Sequence, residues 1–174
     1  VCSFVLEDSY PAFKDPINHC VVSKDIGLGV CISEGNGKVL IMRPQIREIA
    51  KFECKGVKEL LFCSHSMLFV AIVEEKLTTF TFNGEVKGTV AIDSNSHTFC
   101  LASFRGGDEF VCCFSKEKTL NVISTRTLEV VYQMTVQKAI IQAFFEPVSE
   151  NVIGLTDEGE VVTVPLHSIQ TGVK

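Results

Sequence analysis

The sequence predicts an all-β fold, in which about four units of four short antiparallel strands follow one another along the chain. Runs rich in valine, isoleucine, phenylalanine and threonine alternate with short polar turns, and these residue types suit a pleated, half-buried sheet. The clearest hairpin, Ser149–Leu166, places the polar tetrad Asp157–Glu160 between two apolar runs, and similar hairpins precede it. Helical periodicity is nearly absent: only Pro44–Phe52 also allows a helical turn, and its place in the repeat favours a strand.

The first unit is predicted at 19–56, after an opening strand, Val1–Leu6, and a proline-containing loop, Asp8–Asn18. Its predicted turn is Glu34-Gly35-Asn36-Gly37, because Asn-Gly is among the strongest short hairpin signals. The four predicted strands are His19–Ser23, Gly27–Ser33, Lys38–Met42 and Glu48–Cys54.

The second unit is predicted at 57–95 and the third at 96–138, with polar residues between the strands of each. The predicted strands of the second unit are Val57–Cys63, Met67–Val73, Lys76–Phe82 and Glu85–Ile92. Those of the third unit are Thr98–Phe104, Glu109–Phe114, Lys118–Ile123 and Leu128–Thr135. The turns between them are predicted at Glu74-Glu75, Asn83-Gly84, Arg105–Asp108, Ser115–Glu117 and Thr125–Thr127.

The fourth unit is predicted at 139–174 and contains the hairpin described first. Ile140–Phe145 is its first predicted strand, and a turn with Pro147 leads to the strands Val152–Leu155 and Val161–Val164. The last segment, His167–Lys174, shows no obvious fourth strand.

The units repeat at a nearly constant spacing. The predicted third strands begin at Lys38, Lys76, Lys118 and Glu160, so the steps between them are 38, 42 and 42 residues. Four short strands in a period of about 40 residues are typical of propeller blades. A β-sandwich also has evenly spaced short strands, but the repeated polar turn and strand order favour blades. We therefore predict that residues 1–174 form a single β-propeller segment.

A propeller blade needs a neighbour on each face, because each face is apolar. Propellers have about four to eight blades, and four blades, one of them incomplete, are at the lower limit. We therefore expect this segment to belong to a larger ring that further sequence or a second chain completes. The opening strand Val1–Leu6 is a candidate for the missing strand of the last blade.

The chain resembles β-propellers of the WD-repeat type in strand order, period and turn chemistry, although it contains no tryptophan. Within the second unit, VKELLFCSHSMLFVAIVEEKLTTFTF (residues 57–82) looks like a blade of the PROPPIN family, propellers of autophagy and endosomal trafficking that bind phosphoinositides. That resemblance implies a membrane-trafficking role as the alternative function. The Phe-Arg-Arg-Gly motif of those propellers is replaced by Phe104-Arg105-Gly106-Gly107, so a lipid site would lie on blades outside this chain.

Composition limits the classes of partner and compartment. The net charge of −5 and the pI near 5.4 argue against a general nucleic-acid binder. No apolar run reaches the ~18 residues of a membrane span, and no signal peptide is visible. We expect a cytoplasmic protein, with peripheral membrane association in the alternative function. Most of the eight cysteines lie within apolar runs, which predicts reduced thiols in the core, with a structural disulfide as the alternative.

The residues that could carry chemistry point away from catalysis. No Cys-x-x-Cys pair is present, and adjacent Cys112 and Cys113 would face opposite sides of a strand, so we expect no metal or other cofactor. The carboxylate pairs Glu74-Glu75 and Asp157-Glu158 lie in predicted turns, where solvated charge is the ordinary reading. We expect a non-catalytic protein-interaction scaffold, and a hydrolytic propeller enzyme is the third hypothesis.

The candidate contact surface is the face on which the turns between second and third strands gather, together with the loops between blades. Most of the turn residues are acidic, and Lys55 and Lys138 lie in the loops between blades. Such a face suits a partner with a basic surface, and ordinary solubility charge is the competing interpretation. The predicted contact residues are Glu34, Asn36, Glu74, Glu75, Lys116, Glu117, Asp157 and Glu158.

Overall fold

The structure, a computed structural model, describes residues 10–23 and 25–166. These residues form fifteen strands and four antiparallel sheets, which we call blades 1 to 4. Blade 1 contains β1 (His19–Ser23), β2 (Leu28–Ser33), β3 (Asn36–Ile41) and β4 (Arg47–Glu53). Blade 2 contains β5 (Val57–Cys63), β6 (Leu68–Val73), β7 (Lys76–Thr81) and β8 (Val86–Ala91). Blade 3 contains β9 (Ser96–Ser103), β10 (Glu109–Ser115), β11 (Thr119–Ser124) and β12 (Val130–Thr135). Blade 4 contains β13 (Ile140–Glu146), β14 (Asn151–Thr156) and β15 (Val161–Pro165).

Each blade is a simple antiparallel meander, in which strands that follow one another in sequence also lie side by side. The all-β prediction is confirmed, and the described residues contain no helix. The 44–52 stretch lies largely in β4, as its place in the repeat predicted. The predicted strand Val1–Leu6 and the segment His167–Lys174 lie outside the described residues, so the structure bears on neither.

The position of a strand within its blade follows from its hydrophobic pattern. The second strands β6 and β10 are apolar almost throughout and are buried along nearly their whole length, as expected for a strand covered on both faces. The fourth strands β8 and β12 have mixed sequences and alternate between exposed and half-buried residues. The first strands contact one another in the order β1, β5, β9 and β13. The first strand of each blade is therefore innermost, and the fourth is outermost.

Side chains that alternate along each strand pack against different neighbouring blades. Phe69 of β6 faces blade 1, where its ring lies 4.8 Å from that of Phe52. The adjacent residue Val70 faces blade 3 and packs in a cluster with Val111 and Ile123. A third cluster joins blades 3 and 4 and includes the fully buried side chains of Phe114, Leu120 and Val152. Because successive side chains point to opposite faces, an apolar strand such as β6 contacts both neighbouring blades.

The turn of blade 1 differs from the prediction. Ser33 pairs with Asn36, so the turn consists only of Glu34 and Gly35, both with positive φ (48° and 85°), which is the type I′ geometry of two-residue hairpins. Asn36 and Gly37 belong to β3 instead. Gly37 is needed for packing, because a Cβ atom there would lie 2.1 Å from Cζ of Phe52.

The cysteine prediction needs one correction. All seven cysteines in the described residues are free, and six of them are buried. Cys20 in β1 is exposed, because β1 places it on the side of blade 1 that faces away from blade 2. Cys2 lies outside the described residues.

The two end faces of the stack differ. On blade 1, the segment Tyr10–Phe13 covers part of the outer face and packs with Cys31 and Leu40. On blade 4, no described residue covers the corresponding outer face, and Phe144 and Val161 are 55% and 72% exposed. The described residues therefore form an arc of blades with one open apolar end.

Candidate interaction face

The turns between second and third strands lie beside the loops that connect blades, and backbone hydrogen bonds hold each turn to a loop. The amide of Cys54 donates to the carbonyl of Gly35 at 2.8 Å, and that of Ile92 donates to Glu75 at 2.8 Å. In blade 3 the amide of Val136 donates to Lys118 at 2.7 Å. In blade 4 Asp157 donates to Ala139 at 3.3 Å. We call the surface formed by these turns and loops the turn face.

All eight residues that the sequence singled out are exposed on or beside the turn face. Seven lie in the turns themselves, and Asn36 is the first residue of β3 instead. Their assignment as contact residues stays a prediction, since their position shows accessibility and not binding.

In blade 4 the acidic charge is partly paired. Nζ of Lys138 lies 2.8 Å from Oε2 of Glu158 and 2.5 Å from Oε2 of Glu160. The hydrogen bonds from this ammonium hold the pKa of Glu158 below its ordinary value, and both carboxylates raise the pKa of Lys138. The sequence reasoning did not foresee Glu160 as a member of this group.

In blades 1 and 2 the carboxylates of the turns between second and third strands are unpaired among the described residues. Within residues 10–23 and 25–166, no cation lies within ion-pair distance of Glu34, Glu74 or Glu75. Nζ of Lys58 instead donates to the backbone carbonyl of Glu74 at 3.0 Å. The stem of Lys55 packs against Gly35, where an added Cβ would meet its Cγ at 2.5 Å. The turn face therefore carries free carboxylates at its turn tips and lysines beside them.

The opposite side of the arc holds a buried carboxylate that the sequence reasoning missed. Glu109 is only 4% exposed, and it accepts four hydrogen bonds. In blade 2 the donors are the amides of His65 and Ser66 at 3.0 and 2.8 Å and Oγ of Ser66 at 2.6 Å. In blade 3 the donor is Oγ of Ser103 at 3.2 Å. The group thus joins two blades, and its lone pairs are occupied.

Glu109 also lines a cavity of about 430 Å³ together with Thr125 and Arg126. Because both oxygens of the carboxylate already accept hydrogen bonds, the cavity contains no free base at this position. The sequence signal was a single acidic residue at the start of an otherwise apolar strand, EFVCCFS.

The segment Phe104-Arg105-Gly106-Gly107 lies at the turn between β9 and β10. Phe104 is 1% exposed, and its ring lies 5.6 Å from that of Phe110 and 5.2 Å from that of Phe145. Arg105 is exposed. The segment therefore contributes one aromatic ring to the core and one cation to the surface.

Clusters of metal-ligating side chains and long apolar helices are both absent from the described residues. Between Tyr10 and Leu166, leaving out position 24, no group of three or more His, Cys, Asp or Glu side chains is placed to hold a metal ion. The same residues include no helix with the length and hydropathy needed to cross a membrane.

Comparisons with known proteins identify a fold. Neither the protein-family models nor the curated proteins include a match to this chain. Among solved structures, it is similar to the WD40 domain of Pan2 from Neurospora crassa, with a TM-score of 0.64 over 87% of this chain and 14% sequence identity. The chain spans about half of that structure, covering 47% of it. At this identity the likeness shows the fold alone: the four blades form a segment of a WD40-like β-propeller.

Proposed function

We propose that this chain is part of a non-catalytic propeller scaffold that binds other proteins through the turn face. The observation that carries the proposal is the set of exposed turns that backbone hydrogen bonds hold to the loops between blades. Loops held on a rigid framework lose little conformational entropy when a partner binds. This supports a binding surface without requiring any reacting group.

The charge distribution favours a basic partner that docks near blades 1 and 2. Glu34, Glu74 and Glu75 are exposed and unpaired within the described residues, whereas Glu158 and Glu160 already hold Lys138. Free carboxylates attract a basic segment at long range and speed its approach, and salt screens this attraction. Binding to blades 1 and 2 should therefore weaken as ionic strength rises.

The test is a pull-down with the double variant Glu74→Lys/Glu75→Lys. The matched control is Glu85→Lys/Asp108→Lys, which reverses two exposed carboxylates in turns on the opposite side. We expect the first variant to lose partners that the wild type and the control both retain, and those partners to leave the wild type at high salt. Identical partner sets for all three proteins would overturn the proposal.

The PROPPIN-type alternative stays a prediction, in which the intact polypeptide binds phosphoinositide membranes through blades outside this chain. In the described residues, its support is limited to the exposed Arg105 in the Phe-Arg-Gly-Gly segment. Flotation of the full-length protein with liposomes that contain or lack phosphoinositides tests it. Phosphoinositide-dependent flotation would favour this function over the protein scaffold, and its absence would remove it.

We further propose that more sequence or a second chain completes the ring beyond blade 4. The third-strand residue Leu120 of blade 3 is fully buried against blade 4, whereas its counterpart in blade 4, Val161, is 72% exposed. The length of the intact polypeptide tests this directly. A length near twice this one would support completion in the same chain, and a polypeptide of this length that stays monomeric would contradict both routes.

A further inference from the structure

Blade 1 contains a pair of cysteines whose sulfur atoms are in contact. Cys20 of β1 and Cys31 of β2 are register partners, so their side chains project from the same face of the blade. Their Sγ atoms lie 2.8 Å apart. The pair lies on the face that points away from blade 2, next to Ala12 and Leu40.

The backbone pairing places these two residues at the spacing that a disulfide requires. The amide of Met42 donates to Gly27, so residues 27, 29, 31 and 33 direct their backbone polar groups towards β3. Cys31 therefore forms no backbone hydrogen bond with Cys20. In such a non-hydrogen-bonded pair the Cα atoms are about 4.5 Å apart, within the range of about 4.4 to 6.8 Å that disulfides span.

The two thiols differ in accessibility and acidity. Cys20 is exposed, and Cys31 is 5% exposed. The hydrogen bond with the Cys31 thiol lowers the pKa of Cys20 to about 7, although partial burial opposes this. The same hydrogen bond and burial raise the pKa of Cys31. Exposure and acidity therefore suit Cys20 to attack as a thiolate and Cys31 to act as the resolving thiol.

We infer that Cys20 and Cys31 form a redox-active dithiol that hydroperoxides oxidise to a disulfide across β1 and β2. The Cys20 thiolate attacks an oxygen of the peroxide, so that an S–O bond forms, the O–O bond breaks and the leaving hydroxide takes a proton to become water. Sulfur of Cys31 then gives up its proton and attacks sulfur of Cys20. An S–S bond forms, the S–O bond breaks, and the second oxygen leaves as water. Two thiols and one hydrogen peroxide thus yield one disulfide and two waters.

Blade 3 provides an internal comparison. Cys100 and Cys112 are also register partners, but they are 5% and 0% exposed. The amide of Thr125 donates to the carbonyl of Glu109, so residues 109, 111 and 113 direct their backbone polar groups towards β11. Those of Cys112 are therefore directed towards β9. Cys100 and Cys112 are then a hydrogen-bonded pair with Cα atoms about 5.5 Å apart. The hydrogen bond with Cys100 and burial raise the pKa of Cys112. We expect this pair to stay reduced in the folded protein.

The test treats the folded full chain with one equivalent of hydrogen peroxide, blocks remaining thiols with N-ethylmaleimide, and maps cross-linked peptides by mass spectrometry. We expect a disulfide between Cys20 and Cys31, with Cys100 and Cys112 blocked only after unfolding. A cross-link elsewhere, or Cys20 left reduced while the buried thiols react, would overturn the inference.

Two variants separate the roles of the thiols. In Cys31→Ala, Cys20 should persist as a sulfenic acid that dimedone labels, because its resolving thiol is absent. Cys20→Ser should abolish both the label and the disulfide. In the wild type, the rate of Cys20 alkylation should reach half its maximum near pH 7. An ordinary thiol, with a pKa of about 8.5, would reach it at a higher pH. Circular dichroism checks that each variant is folded, and dimedone labelling that does not depend on Cys20 would contradict the assignment.

Discussion

At the residue scale, Glu109 shows how a polar group is accommodated between two apolar blades. A buried carboxylate is costly unless donors surround it. The turn of blade 2 supplies two amides and a hydroxyl, and Ser103 supplies a second hydroxyl. Through these hydrogen bonds the residue holds the β5–β6 turn against blade 3.

Replacing this carboxylate should destabilise the protein. Glu109→Ala leaves four donors without an acceptor, and we expect the free energy of unfolding to fall by about 3 kcal/mol. Glu109→Gln keeps the shape and one acceptor oxygen, so it should cost less. Urea unfolding measures both variants. Equal stability of Glu109→Ala and the wild type would show that the hydrogen bonds of Glu109 do not stabilise the contact between blades 2 and 3.

Gly37 was predicted to lie in a turn, but in the structure it lies in β3 against the ring of Phe52. An alanine Cβ would lie 2.1 Å from Cζ of Phe52, so the ring must move. Overpacking of this kind costs about 1 to 3 kcal/mol. Gly106→Ala is the matched control, because an added Cβ there meets nothing within 4 Å. Thermal unfolding should separate the two variants, and equal midpoints would refute the packing role.

At the element scale, the hairpins are standard local structures, and contacts with residues distant in sequence hold their turns in place. The β14–β15 turn is the clearest case, because Lys138 reaches it from the loop between blades 3 and 4. Exposed ion pairs contribute little to stability. Their effect here is to orient the turn and to occupy its carboxylates.

Lys138 lowers the pKa of the Glu158 carboxyl group, so removing this lysine should raise that pKa. In Lys138→Ala the pKa of Glu158 should rise towards its ordinary value, since the hydrogen bond that lowers it is lost. Glu146 is the internal control, because Ser149 lowers its pKa. Carboxyl titration by NMR measures both groups. An unchanged pKa of Glu158 would show that the ion pair does not form in solution.

The same pKa shift has a defined pH dependence. Because the pKa of Glu158 is lower in the folded state, its contribution to stability is present above the unfolded pKa and is lost as pH falls through the folded value. The wild type and Lys138→Ala should therefore differ more at neutral pH than in acid. A difference in stability between the two proteins that grows as the pH falls would contradict this prediction.

At the scale of the whole molecule, the blades stack through faces that are apolar on both sides, and within the part of the chain that the structure describes the stack ends on an open face. Positions that are buried in blade 3, such as Phe114 and Leu120, correspond in blade 4 to half-buried Leu155 and exposed Val161. An exposed apolar sheet face of this kind marks an interaction site or an aggregation hazard.

The open face should bind a hydrophobic dye when the chain is isolated. Phe144→Glu/Val161→Glu should lower the fluorescence of 8-anilinonaphthalene-1-sulfonate, because it removes apolar area and places two carboxylates that repel the sulfonate of the dye on that face. Val86→Glu/Val130→Glu is the matched control, since these residues are 61% and 53% exposed on the outermost strands. An equal decrease in both variants would show that dye binding does not report on blade 4.

Much of the fold could be predicted because strand formation depends on local patterns. His19–Ser23 and Val57–Cys63 agree with β1 and β5 residue for residue, since each is a short apolar run between turn signals. Asn36-Gly37 misled because the register of β2 with β3 places the two-residue turn at Glu34-Gly35 and puts Gly37 against the ring of Phe52. The candidate site was predictable only as a set of exposed turns. The pairing of Glu158 and Glu160 with Lys138, 20 and 22 residues away, could not be predicted from spacing.

The sequence by itself determined that this protein is made of repeated antiparallel blades, because the two-residue period of strands and the chemistry of turns are properties of neighbouring residues. Only the tertiary structure decided which faces meet and which stay open. It placed the Cys20 and Cys31 sulfurs in contact, buried Glu109 among four donors and left Val161 exposed. The physical reason is that burial, pKa and side-chain pairing depend on residues that are distant in sequence.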